Sequence, residues 1–223
     1  MIVFANRSGA GRQLADRLMH LSGRDDVLVL ALPRGGVPVG YSIAERLGVP
    51  LDVFVVRKIG VPGQDELALG AIATGEAVVY NEELLSRLHL PPAAVQFAIG
   101  RSRIELSRRE KTYRGEKPPV DVGGKTVLVV DDGLATGSTM RAAVQALRRR
   151  SAKRIIVAVP VGSEDAVHLV RAEADEVLCL SSPPDFRAVS LWYVDFPQIT
   201  DEEVRALLSQ SVERASALSH ASA

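Results

Sequence analysis

The chain has 223 residues, 47% of them hydrophobic and 24% charged, ordinary globular usage that excludes a disordered chain, a collagen and a disulfide scaffold. At this length roughly 70% of the unfolded surface is buried on folding, so the core needs no staples. Lys+Arg and Asp+Glu number 27 each, so no net charge draws the chain to nucleic acid or to an anionic membrane. Cys179 stands alone, which excludes an intrachain disulfide and a cysteine-rich metal site and suits a reducing compartment. His20, His89, His168 and His220 form no ligand-spaced pair. No apolar run approaches the ~18 residues of a membrane span. The opening MIVFANRSGAGR lacks the parts of a signal peptide, so a cytoplasmic protein is expected.

Along the chain, Leu14, Leu18 and Leu21 have helical spacing within residues 9–22. The apolar run VLVLAL at 27–32 predicts a buried strand, broken by Pro33-Arg34-Gly35-Gly36. A helix over 37–47 and a strand over 51–56 complete a βαβ unit, which implies a parallel sheet. Residues 58–81 are glycine-rich with an alternating end, suggesting a hairpin or loop excursion. Pro91-Pro92 opens a helix running to Tyr113, and Lys117-Pro118-Pro119 closes the segment. The alternation then resumes: strand 127–130, helix 138–150, strand 155–159, helix 164–172 and strand 176–180. Turn residues Ser181-Ser182-Pro183-Pro184, a Trp-Tyr segment and a helix over 201–218 form the tail. The expected fold is α/β, a doubly wound, mainly parallel sheet in one domain over 1–223. It carries an inserted flexible loop and helix at 58–119 and a small C-terminal hood and helix at 181–223.

The stretch VLVVDDGLATGSTM, residues 127–140, carries the chemistry. Two aspartates stand where a parallel strand ends, the edge at which open α/β sheets bind ligands. Ala135-Thr136-Gly137-Ser138-Thr139 then opens a helix, offering backbone N–H groups, hydroxyls and the positive end of a helix dipole to a phosphate. Adjacent carboxylates can accept hydrogen bonds from sugar hydroxyls. A generic strand–turn–helix with capping Asp and Ser is the plain alternative.

These residues resemble the phosphoribosyl pyrophosphate (PRPP) motif of type I phosphoribosyltransferases. The resemblance implies that Asp131 and Asp132 hold the ribose hydroxyls, and that Ala135, Thr136, Gly137, Ser138 and Thr139 hold the 5′-phosphate. It implies that Arg34, Gly35 and Gly36, after the first strand, take pyrophosphate. Arg57 and Lys58, in VVRKIG at 55–60, resemble the basic pair that the adenine-type branch places near pyrophosphate. The segment 61–80 stands in the place of the family's mobile loop, where Asp65 or Glu66 could act as general acid or base. The 6-oxopurine branch carries an aspartate where this chain has Ala135, so the match does not extend to that branch. The layout from AGRQLADRL to FRAVSLWYVDFPQITDEEV resembles a predicted phosphoribosyltransferase family of unassigned substrate.

Trp192, Tyr193 and Phe186 are the candidates to stack on a base, with packing of the tail against the sheet as the alternative. The resemblance implies Mg²⁺ held by PRPP oxygens and water, with Asp131 and Asp132 reaching it indirectly. The expected partners are PRPP, a small-molecule base and a second copy in a homodimer, not a membrane or nucleic acid. The implied activity is transfer of the 5-phosphoribosyl group to a nitrogen nucleophile, as in nucleotide salvage, with release of pyrophosphate. A non-catalytic PRPP- or nucleotide-sensing regulator on the same fold is the alternative. The seven basic and three acidic residues between Arg101 and Lys117 leave RNA binding open to such a regulator. Hydrolysis of a sugar phosphate is a third reading. Gly9-Ala10-Gly11 and Gly124-Lys125-Thr126 match fragments of nucleotide-binding loops but lack their structural context.

Overall fold

The computed structural model describes residues 3–61, 64–88 and 90–221, with the side chains of 65, 66, 215, 216 and 218–221 outside the description. Five strands form a parallel sheet in the order β2-β1-β6-β7-β8, made by β1 (Val27–Ala31), β2 (Leu51–Val53), β6 (Thr126–Val130), β7 (Arg154–Val161) and β8 (Glu176–Ser181). The central strands are continuous apolar runs because both of their faces are covered. Alternation along β1 divides the core. Val27, Val29 and Ala31 join the cluster beneath α1 (Arg7–Arg17), α2 (Gly36–Leu47) and α7 (Asp201–Ala221). Leu28 and Leu30 join the cluster beneath α5 (Ser138–Arg149) and α6 (Glu164–Arg171).

Chain order reverses between β1 and β6, which are paired from Val27↔Thr126 to Ala31↔Val130. This is the topological switch point, and the loops after both strands emerge side by side there.

The predicted 51–56 strand is divided. The Phe54 N–H still donates to the Ala31 carbonyl of β1 at 2.9 Å, and the chain turns away at Val55, whose N–H donates to Thr74 Oγ1 at 2.9 Å. From Val56 the chain enters a separate antiparallel sheet, β3 (Val56–Val61), β4 (Gln64–Ala73) and β5 (Ala77–Tyr80). This sheet occupies most of the expected hairpin or loop excursion. A short helix, α3 (Glu82–Leu88), follows it, and α4 (Pro92–Arg114) is the helix opened by Pro91-Pro92. β3 lies between α4 and α5: Ile59 and Val61 pack with Ala98, Ile99 and Leu106, whereas Val56 packs with the α5 cluster.

The N-terminal segment meets the segment ahead of α7. The Phe4 N–H donates to the Trp192 carbonyl at 2.9 Å, and the Val194 N–H donates to the Phe4 carbonyl at 2.9 Å. Among the described residues, no helix is long and apolar enough to cross a membrane.

Candidate active site

Asp131 and Asp132 directly follow β6, at the carboxyl edge of the sheet. The Asp132 N–H donates to Asp131 Oδ1 at 2.8 Å. Asp132 Oδ2 meets Arg7 Nε at 2.8 Å, with 16% and 8% of the two side chains exposed. Tyr193 Oη donates to the Asp132 carbonyl at 2.6 Å. Asp131 differs from its neighbour: burial first, and the adjacent Asp132 charge second, push its carboxyl well above the ordinary range. The pair therefore sets a carboxyl whose ionisation burial disfavours beside a carboxylate held by a guanidinium.

The 33–36 loop packs directly on this pair. A Cβ on Gly35 would fall 2.0 Å from Asp132 Oδ2, and one on Gly36 would fall 2.7 Å from the Val130 carbonyl oxygen. Only glycine admits so close an approach of backbone to carboxylate. The Pro33–Arg34 peptide bond is cis.

Beyond the aspartates, Leu134 is buried and Ala135, Thr136, Ser138 and Thr139 are exposed at the start of α5. Ser163 Oγ holds the Ala135 carbonyl at 2.8 Å, fixing the loop from α6. The cap residue of α5, Gly137, takes the left-handed conformation (φ 73°) and has no side chain to cap the helix, and the Ser138 N–H reaches Thr136 Oγ1 at 3.4 Å. The first-turn N–H groups thus face the ligand edge with hydroxyls around them, a seat for an anion.

A cavity of about 450 Å³ opens beside Asp132, lined by Arg7, Arg34, Gly35, Phe196, Pro197 and Gln198 among others. Arg7 organises it: Nη1 donates to the Pro197 carbonyl at 2.8 Å, and the guanidinium carbon lies 3.6 Å from the centroid of the Phe196 ring. Arg34 lines the same cavity as Asp132, with Nη1 3.9 Å from Asp201 Oδ1. Asp201 also accepts from Tyr113 Oη at 2.9 Å, and burial, then this hydrogen bond, push the Tyr113 phenol up to about 12.

Residues 7–196 match the phosphoribosyl transferase domain family. The chain belongs to that family. Three proteins show how far the likeness extends. TT1426 from Thermus thermophilus, a solved structure, superposes with a TM-score of 0.83 at 42% identity, covering 94% of this chain and 99% of its own. A Mycobacterium tuberculosis protein named "putative phosphoribosyl transferase" is 45% identical over 211 residues, 95% of this chain and 47% of its own length. The human phosphoribosyl pyrophosphate synthase-associated protein 2 is 28% identical over 158 residues, with 41% of its length covered. The chain thus spans about half the length of the curated relatives it matches, or less.

Within this phosphoribosyltransferase domain the structure groups the predicted residues unevenly. Asp131, Asp132, Gly35 and Gly36 are interlocked, and the 135–139 loop adjoins them. Arg57 and Lys58 are consecutive on β3 and so point to opposite faces. Lys58 shares a cavity of about 700 Å³ with Ser138 and Thr139. Arg57 lies on the α4 side near Glu105, and it does not line the cavity at Asp132. Asp65 and Glu66 stand on β4, with their side chains outside the described residues. The expected stacking faces need correction. Trp192 and Tyr193 are 5% and 6% exposed and pack with Phe4 and Ala10, and Phe186 is half-buried against the same cluster. Their rings close the interior because the N-terminal segment covers them. The ring at the cavity is Phe196. Sequence reasoning missed Arg7 and Phe196, because no local pattern joins a first-turn helix arginine to a strand end 125 residues away.

Proposed function

We propose that this domain transfers the 5-phosphoribosyl group of PRPP to a nitrogen of a small planar acceptor, releasing pyrophosphate. The observation that carries this reading is the interlock of Gly35 with Asp132, which sets two anion-receptive loops and an acidic pair around one point of the sheet edge. On this reading Asp131 and Asp132 accept from the ribose hydroxyls. The 135–139 loop and Lys58 take the 5′-phosphate, and the N–H groups of the 33–36 loop with Arg34 take the diphosphate. The bond from C1 to the diphosphate oxygen breaks as the bond from the acceptor nitrogen forms, and an N–H acceptor then gives up its proton. Positioning and neutralisation of the leaving group are the domain's contribution. The acceptor fits the cavity at Phe196, whose ring is held by Arg7.

The donor set also fits Mg²⁺ as this chemistry uses it. Among the described residues no cluster of three or more His, Cys, Asp or Glu side chains forms a cage. Two adjacent carboxylates suit an ion held mostly by diphosphate oxygens and water. When bound, it would add charge neutralisation at the leaving diphosphate.

The test is titration calorimetry of PRPP with Mg²⁺ against the wild type and an Asp131→Asn/Asp132→Asn variant, followed by a screen of bases for pyrophosphate release. Binding by the wild type that the variant loses supports the reading. A folded wild type that takes up no PRPP overturns it.

A further inference from the structure

A second basic cavity, of about 680 Å³, lies between β3 and α4 and includes no residue of the 33–36 or 131–139 loops. Its volume is that of a small-molecule site. Arg57 lines it from the strand, and Arg101 and Ser102 from the helix. Arg57 Nε is buried there without a hydrogen-bond partner, which leaves a guanidinium donor unused in the wall. Arg101 is exposed and has no ion-pair partner among the described residues, whereas Arg103, two positions on, is paired with Glu76 at 3.1 Å.

Among the described residues, the only carboxylate in the lining is Glu105, and two guanidinium groups already hold it. Arg108 and Arg109 approach it at 2.8 Å and 3.2 Å, and their hydrogen bonds hold its carboxyl down at about 2. The cavity's charge is therefore positive. Its rim is apolar: Phe97 and Ile104 are 64% and 74% exposed. Phe97, Arg101 and Ile104 recur at intervals of four and three and so share one helix face. This combination of guanidinium groups, a hydroxyl and a flat exposed ring fits a ligand with phosphate at one end and a heterocycle at the other.

We propose that this cavity is a second ligand site, separate from the Asp131–Asp132 site, that takes a nucleoside phosphate. Arg57 and Arg101 bind the phosphate oxygens and Phe97 stacks on the base. The site stands independently of the transfer reaction proposed above.

The experiment is calorimetric titration of ADP, without Mg²⁺, into the full chain, with PRPP and Mg²⁺ titrated in parallel. Four proteins are compared: the wild type, Asp131→Asn/Asp132→Asn, Arg101→Glu and Phe97→Ala. The last two change exposed side chains, so their folding is expected to survive. ADP binding is expected in the wild type and, within about twofold, in the double aspartate variant, since neither aspartate lines the cavity. Arg101→Glu should weaken it by about tenfold or more, and Phe97→Ala by about threefold. PRPP binding should be unchanged in both. The proposal is overturned by absence of ADP binding to the wild type, by its loss in the double aspartate variant, or by wild-type ADP affinity in either single variant.

Discussion

Arg7 and Asp132 are 125 residues apart in sequence and meet at 2.8 Å, Nε to Oδ2, with both side chains largely buried. The same guanidinium holds the Pro197 carbonyl and the Phe196 ring. One side chain therefore ties the start of α1, the end of β6 and the C-terminal segment into a single site. Removing it leaves Asp132 a buried charge without its partner. Arg7→Ala should lower unfolding stability by about 3 kcal/mol, read as a shift in urea midpoint at unchanged slope. Arg7→Lys should fall between the two, because an ammonium restores charge but not the planar face that lies on Phe196. A midpoint for Arg7→Ala equal to the wild type would show that the pair contributes nothing.

Gly35 tests the interlock of the two loops. A methyl group there would lie 2.0 Å from Asp132 Oδ2, so the carboxylate or the loop must shift. A displacement of that order, about 1 Å, costs roughly a hundredfold where geometry governs the chemistry. Gly35→Ala should therefore reduce turnover by about that factor while circular dichroism stays that of the wild type. PRPP affinity should fall with it. Wild-type turnover in Gly35→Ala would mean that the loop does not position the acidic pair.

The sequence made much of this fold legible, for a physical reason. A strand covered on both faces must be apolar throughout, so VLVLA, TVLVV and RIIVAVPV stand out as runs. The two ligand loops are likewise local, each a strand end followed by small residues at a helix start. What escaped was non-local. The β3–β5 sheet is interrupted by Gly60, Gly70 and a register shift after Ile59, which blur its alternation. Trp192 and Tyr193 suggested a stacking platform, but Phe4, from the other end of the chain, buries them. Phe196 and Arg7 become a pair only after the N-terminal segment has met the segment ahead of α7.

Asp131 gives the domain a pH signature. Its carboxyl titrates above the ordinary range in the folded chain, because burial and the Asp132 charge disfavour ionisation. The folded state then holds a proton that the unfolded state has lost. This contribution is fully present below the ordinary carboxylate value and disappears as pH rises through the raised one. At neutral pH the ionised group is a cost. Asp131→Asn should thus be more stable than the wild type at neutral pH, with the advantage shrinking as the pH approaches the ordinary carboxylate range. PRPP binding should weaken in the same variant, a trade of function for stability. Urea denaturation across pH checks the sign: an advantage that grows toward acid would contradict it.

A second buried ion pair, away from the ligand edge, fixes α4 to the sheet. Arg114 Nε lies 2.8 Å and 2.9 Å from the two oxygens of Asp52, and its Nη2 also reaches the Val53 carbonyl. The side chains are 5% and 10% exposed. Glu110 adds a contact at 3.1 Å, but it sits on the same helix and cannot anchor that helix to β2. Asp52→Ala strands the guanidinium against the strand carbonyl and should cost about 3 kcal/mol. A paired substitution, Asp52→Leu with Arg114→Met, removes both charges at once and should recover most of that loss, because the desolvation penalty goes with them. A double-mutant cycle by urea denaturation measures the coupling. If the double variant is as unstable as the sum of its single changes, the two groups act separately and the anchor is apolar.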